Sequence, residues 1–410
     1  DVRPLRASRD FRLVWTGLFI SELGYQLSLV AIFVQVYQLT GSAGAVGLTG
    51  LFSFVALCLG ALISGAILDA YDRRTLLLWS QVGFAVGSTI LLVGAIHGNP
   101  PVWTIYLAAS TFALVSTTDG PTRTAMTPRL VGPDLVPSAM ALNQVVWNSV
   151  ALIGPAIGGV IIARWGFSWA YGIDLVTYGA MFVTALLIAP MPPQHDAKER
   201  APVGWAAVKE GFGFVRRSRL LQSTFVIDLI AMIFGLPRAL FPILATTQFH
   251  RGPEVVGLLF SAPAAGALIA ALTGGWVWRV RRQGVAVIWA VVGWGAAIVA
   301  FGSSGPHLGI ALVFLAVAGA ADVISAIFRG TILQVSSPEE LRGRLSGIHI
   351  LVVTGGPRLG DLEAGTVAQI WSPTVSVISG GLICMVGAGV VSLVYPVLRR
   401  YRQEPQARVA

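Results

Sequence analysis

The chain has 410 residues, 55% of them hydrophobic and 11% charged, with a mean hydropathy of +0.75. That much apolar side chain exceeds what a soluble core encloses, so composition excludes a soluble globular enzyme and reads as a polytopic membrane protein. The net charge of +9 is dispersed over many short loops, which argues against a nucleic-acid partner, and the two cysteines, Cys58 and Cys384, each lie inside an apolar stretch, which argues against a disulfide framework or a metal cluster.

Crossing about 30 Å of hydrocarbon takes about 20 residues of helix. Twelve stretches qualify, at about 12 to 38, 45 to 68, 75 to 97, 102 to 123, 136 to 163, 168 to 190, 220 to 247, 254 to 278, 284 to 303, 306 to 333, 344 to 371 and 373 to 396. The basic start, DVRPLRASRDFRLVW, runs into the first of them without a small-residue cleavage site, as a first transmembrane helix does and a removable signal peptide does not. A chain that begins at Asp1 without Met is expected to be a trimmed one.

Ionisable residues inside the spans are the mechanistic candidates, because a charge in hydrocarbon costs several kcal/mol unless it is paired or faces water. Glu22 lies about ten residues into the first span, on the order of 15 Å deep, with Tyr25 and Gln26 on its face. Asp228 has a similar depth in the seventh. These two are the first candidates for proton coupling or cation recognition, since a carboxylate withdrawn from water can exchange a proton near neutral pH; a paired structural carboxylate is the alternative. Between spans 2 and 3 the turn GAILDAYDRR places Asp69, Asp72, Arg73 and Arg74 at a membrane surface. Asp69 there suits the positive amino end of a neighbouring helix, and Arg73 and Arg74 face an anionic inner leaflet.

In span 4, Asp119 and Arg123 are one helical turn apart and able to pair, close to the cytoplasmic end; Asp322 and Arg329 occupy similar ground in span 10. A structural ion pair or gate fits them better than substrate binding. Span 5 carries GPAIGG, in which Gly154, Pro155, Gly158 and Gly159 allow close helix approach and weaken the backbone ladder. Asp174 in span 6 reads as part of a packing pair. Arg238 follows Pro237 near the outer half and reads as a snorkelling side chain, with attraction of an anionic substrate the alternative. In span 11, Arg358 and Asp361 are spaced to pair, Glu363 points elsewhere, and the three read as a gate or coupling network; His349 reads as a packed or capping residue, with proton shuttling the alternative.

Lys and Arg alternate between loops. The amino terminus, the even-numbered loops and the tail hold nearly all of them, whereas the odd-numbered loops contribute only Arg164 and Arg251, so both termini are expected in the cytoplasm. The long polar loop MPPQHDAKERAPVGWAAVKEGFGFVRRSR separates two six-span halves, giving bundles at 1–190 and 220–400, a linker at 191–219 and a tail at 401–410. Within the linker, GWAAVKEGFGFVRR fits an amphipathic helix on the inner leaflet or a solvated connector. The halves repeat: Arg123 to Asn143 aligns without a gap on Arg329 to His349, and GPAIGG at Gly154 corresponds to GPRLGD at Gly356.

GAILDAYDRR resembles the loop 2–3 signature of the major facilitator superfamily, and GPAIGG is similar to the Gly-Pro motif of its exporters and antiporters. LTGSAGAVGL, VSSPEELRGRLSG and GGPRLGDLEAG look most like the branch of enterobactin exporters and related drug-efflux proteins. The resemblance implies an all-α fold of twelve transmembrane helices in two six-helix bundles, rocking around a midplane cavity lined chiefly by helices 1, 4, 7 and 10. It also implies a loop 2–3 that latches the halves, although Ala70 stands where the pattern has a basic residue. There is no nucleotide-binding loop, serine elbow or metal-ligand cluster, so no enzyme, cofactor or ATP-driven pump is expected. The expected protein is a monomeric exporter in the bacterial inner membrane, moving a small molecule such as a catecholate siderophore, with protons as coupling ion and lipid as surroundings. Proton-coupled efflux of lipophilic cations is the alternative, followed by uptake, and then by a non-transporting receptor or subunit.

Overall fold

The structure is a computed structural model that describes residues 1–192, 205–338 and 341–402. Lys198, Arg200 and the distal tail with Arg408 lie outside the described residues. Among those described, every regular element is a helix. Twelve long helices correspond to the twelve expected spans: α1 (Arg9–Thr40), α2 (Ala43–Ala70), α3 (Arg73–Ile96), α4 (Val102–Val131), α5 (Val136–Trp165), α6 (Phe167–Leu187), α7 (Arg219–Phe234), α8 (Pro253–Thr273), α9 (Gln283–Gly302), α10 (Leu308–Ser336), α11 (Arg342–Ile370) and α12 (Pro373–Val394). Ten are long and apolar enough to cross a membrane, α7 counting together with its continuation to Thr247. The other two, α4 and α11, are the helices that carry Asp119, Arg123, Arg358, Asp361 and Glu363.

Helix ends follow local chemistry. Ser8, Ser42, Asp72, Ser218 and Ser372 each accept a backbone N–H of the first turn of the helix they precede. Gly41, at φ 63°, closes α1 in the left-handed region. Sequence reasoning ended span 4 at about 123, next to Pro121 and a charge, yet α4 runs through Pro121 and Pro128 to Val131. Likewise α10 continues to Ser336. Arg123 and Arg329 are therefore well inside their helices. The amphipathic stretch is helical over Trp205–Arg217, and Val215 is buried with Leu221, Phe225, Leu333 and Leu345.

Contacts divide the chain into two units, Asp1–Trp205 with Phe241–Ser261, and Ala206–Leu240 with Ala262–Ala410. In the first, α1 packs on α5 and α6, and α3 packs on α4 and α6. In the second, α7 packs on α11 and α12, and α9 packs on α10 and α12. The second set is the first with each helix number raised by six, which is the duplicated unit expressed as packing.

The glycines of the span 5 motif sit where helices touch. A Cβ on Gly154 would fall 2.7 Å from Gln26 Cβ, one on Gly158 3.1 Å from Leu27 Cα, and one on Gly159 2.5 Å from the Pro253 carbonyl oxygen. Ser261 Oγ accepts the Ala156 N–H at 3.1 Å, so the backbone just past Pro155 is held by a side chain.

Candidate functional site

In the first unit, α4 presents Asp119 and Arg123 one turn apart, and they pair as their spacing predicts: Nε to Oδ2 is 2.7 Å, with Nη2 to Oδ1 at 3.3 Å. Gln81 of α3 donates to the same Oδ1 at 3.1 Å. Both charged residues are buried. Glu22 is half-buried on α1 within electrostatic reach of Arg123, Asp119 and Asp174, yet its carboxylate has no ion pair or hydrogen bond among the described residues. Tyr25 meets Phe112 edge-on at 5.9 Å, and Phe84 stacks on Tyr178 at 5.1 Å, forming an aromatic group beside the acid. Gln26 turns instead to α5, against Gly154.

Asp174 is fully buried on α6, where Ser28 of α1 and Ser88 of α3 each donate to Oδ2 at 2.5 Å. This carboxyl ties three helices together through neutral donors, and sequence reasoning underrated it because both partners are distant in sequence. The turn before α3 holds another junction. Asp72 caps α3, accepting from Thr75 N at 3.0 Å. Arg74 donates to the carbonyls of Ala185 and Leu186 at 3.0 and 2.6 Å, neutralising the negative end of α6 instead of facing lipid headgroups as expected. The Arg73 N–H donates to Met191 O at 3.1 Å. Asp69 is exposed, with no partner among the described residues, and Ala70 beside it is exposed too.

The second unit uses the same positions differently. Arg329 lies 206 residues after Arg123, Asp228 206 after Glu22, and Ser325 206 after Asp119. Where the first unit binds its arginine through the intrahelical aspartate, here Arg329 Nη1 donates to Ser325 Oγ at 3.0 Å and Nη2 lies 2.9 Å from Asp228 Oδ1. Asp322, the acid of the same helix expected beside Arg329, is farther, at 3.7 Å. Asp228 is thus an ion-paired residue, not a free equivalent of Glu22. His349 Nδ1 lies 3.6 Å from Asp228 Oδ2, so it belongs to this cluster and is not a mere packing residue.

Farther along, α7 stops at Gly235, whose carbonyl accepts from Trp294 Nε1 at 2.7 Å. Just beyond, Arg238 Nη2 lies 2.8 Å from Asp361 Oδ2. One expectation is corrected, since Arg238 pairs and does not snorkel; Arg238 is the close partner of Asp361, and Arg358, which donates to Thr354 O at 3.3 Å, acts on Asp361 by charge from farther off. With a side chain 2% exposed, Asp361 needs a cation from across the interface. Glu363 is half-buried, within electrostatic reach of Cys384 on α12. A groove of about 350 Å³ along α6, by Trp169 and Val176, has no charged residue in its lining; Thr177, which lines it, donates to the Asp174 carbonyl at 2.6 Å.

Comparison with known proteins decides the class. Residues 2–408 match the family described as transmembrane secretion effector of the major facilitator superfamily. The chain belongs to this family. The transporter is 28% identical over 401 residues to the enterobactin exporter EntS of Shigella boydii serotype 18, covering 98% of this chain and 95% of that protein. It is 27% identical over 406 residues to EntS of Escherichia coli strain SMS-3-5, covering 99% and 96%. In fold it is similar to a POT family transporter solved with 5-aminolevulinic acid (TM-score 0.76, 11% identity, 95% of this chain and 97% of that one). The nucleoside transporter NupG is similar too (TM-score 0.73, 14% identity, 95% and 100%). The transporter is therefore a multi-pass, all-helical membrane protein of the major facilitator fold and not an enzyme.

Proposed function

We propose that the protein exports a small organic molecule, of the catecholate siderophore type, across the bacterial inner membrane by alternating access in exchange for protons. It acts as a monomer with both termini in the cytoplasm. Similarity along the whole chain to proteins named enterobactin exporters supports the substrate class. The observation that carries the coupling is the contrast among carboxylates. Asp119, Asp228 and Asp361 each face an arginine, and Asp174 is held by serines. Glu22 and Glu363 stand in spans without an ion pair or hydrogen bond among the described residues, and of the two Glu22 is the one within electrostatic reach of an ion pair, Asp119 with Arg123, where it can take or release a proton as its surroundings change.

A second reading has its own support. An acid beside the half-buried ring of Tyr25, which the buried Phe112 backs edge-on, suits a lipophilic cation through charge and one ring together. Proteoliposomes with an imposed pH gradient separate the two. Gradient-driven movement of a triscatecholate siderophore without movement of a lipophilic cation is the expected result; movement of the cation alone would replace the siderophore reading with drug efflux.

A further inference from the structure

The cluster around Asp228 contains two carboxylates, Asp228 and Asp322, but one permanent cation, Arg329. One proton would bring it to neutrality, the state a low-dielectric interior favours. Asp322, with a side chain 35% exposed, can take such a proton from water itself, but Asp228, 2% exposed, cannot readily receive one. His349 can, since its side chain is 29% exposed while Nδ1 points to Asp228 Oδ2 at 3.6 Å.

That gap is too long for a hydrogen bond. It borders a cavity of about 10 Å³ lined by Thr224, Phe225, Asp228, Arg329, Leu333 and His349, roughly the room one water needs. The charged groups acting on the imidazole are Asp228 from α7 and Arg329 from α10, with Asp322 beyond the guanidinium; of the other elements on α11, α12 contains no charged residue, the Arg238–Leu240 turn has its Arg238 paired with Asp361, and the Trp205–Arg217 helix, with Arg216 and Arg217 at its end, packs through Phe214 and Val215. Phe225 meets the ring from the side, with centroids 6.4 Å apart. Among the described residues His349 makes no hydrogen bond that would mark it as a cap or a packing anchor.

We infer that His349 is a proton relay between the surface and Asp228, an inference that rests on the proton-exchange reading above. Protonated His349 gives its Nδ1 proton to Asp228 Oδ2, directly or through one water. An N–H bond breaks, an O–H bond forms, the imidazole becomes neutral, and solvent returns a proton to the ring. Asp228 then no longer holds Arg329 by charge, and the guanidinium is left to Asp322 and Ser325. A helix-10 arginine released by proton arrival is the conformational consequence.

The test uses the full chain in proteoliposomes, with a triscatecholate siderophore and a lipophilic cation as probes, and two variants, His349→Gln and His349→Ala. Two fluxes are measured: pH-gradient-driven transport and probe-for-probe exchange, which needs no net proton movement. The relay predicts driven transport reduced on the order of a hundredfold or more in both variants, exchange unchanged, and recovery of His349→Ala by added imidazole, which replaces a lost proton carrier and cannot repair a lost packing residue. Driven flux equal to the unaltered protein, or equal loss of both fluxes without recovery by imidazole, would overturn the relay alone. Absence of driven flux in the unaltered protein for both probes would overturn the proton-exchange reading and the relay with it.

Discussion

Replacing Asp228 by Asn removes a charge 2.9 Å from Arg329 and leaves that guanidinium, in a side chain 3% exposed, with Asp322 at 3.7 Å. At an effective dielectric of about 20 the two attractions are of order 6 and 4.5 kcal/mol, so more than half of the gross attraction disappears while the desolvation cost of Arg329 stays. Breaking a buried pair from one side costs about 3–5 kcal/mol. Asp228→Asn belongs near the lower limit, because Asp322 remains. Arg329→Met belongs near the upper limit, because it strands two carboxylates with only His349 nearby. The double variant removes both charges of the pair and should be destabilised by clearly less than the sum, with a coupling of about 2–3 kcal/mol. Thermal unfolding of the detergent-solubilised protein, compared at one scan rate because membrane-protein unfolding is commonly irreversible, reads this as a melting temperature for the double variant well above the additive expectation. Additive losses would refute the claim that Asp228 and Arg329 stabilise one another.

Other sites give further tests. Gly159→Ala places a methyl group 2.5 Å from Pro253 O and should cost about 1–3 kcal/mol by overpacking, whereas Gly172→Ala, whose nearest neighbour is Leu92 at 3.9 Å, should not lower the melting temperature; equal behaviour would remove the close-packing role of the motif. Ser28→Ala and Ser88→Ala each withdraw a donor from buried Asp174, at about 1–3 kcal/mol apiece by the same melting assay; no shift would show that Asp174 does not depend on them. Trp294→Phe leaves the Gly235 carbonyl without its indole donor and should lower stability by about 1–2 kcal/mol. Ala70→Arg restores the basic residue of the superfamily pattern beside Asp69, and should shift the inward/outward balance seen by site-specific labelling; an unchanged labelling pattern would deny the turn a latching role.

The fold was legible because membrane helices announce themselves by length and hydropathy, and because both halves carry the same phrases at a nearly constant offset. Within a helix, spacing was also enough: Asp119 and Arg123 pair as i and i+4 residues do. Spacing misled where a carboxylate met a cation from another helix. Asp361 has Arg358 three residues away, yet its buried face points to Arg238 at the break after α7, 123 residues distant. Arg329 likewise prefers Asp228 to Asp322 because helix crossing, not chain proximity, sets which charges share a dry interface. Asp174 was legible as a packing residue but its partners were not, since serines on two other helices donate to its Oδ2 and serine is too common to mark a site. The Arg74 contacts are not legible in the sequence because its partners are backbone carbonyls, which leave no trace in side-chain pattern.

The central claim, that export is driven by proton exchange at Glu22, is tested most directly by pH-gradient-driven siderophore transport in proteoliposomes made with the unaltered protein and with Glu22→Gln. Gradient-driven flux that is present in the first and lost in the second, with siderophore exchange retained, is the predicted result. Full gradient-driven flux through Glu22→Gln would contradict it.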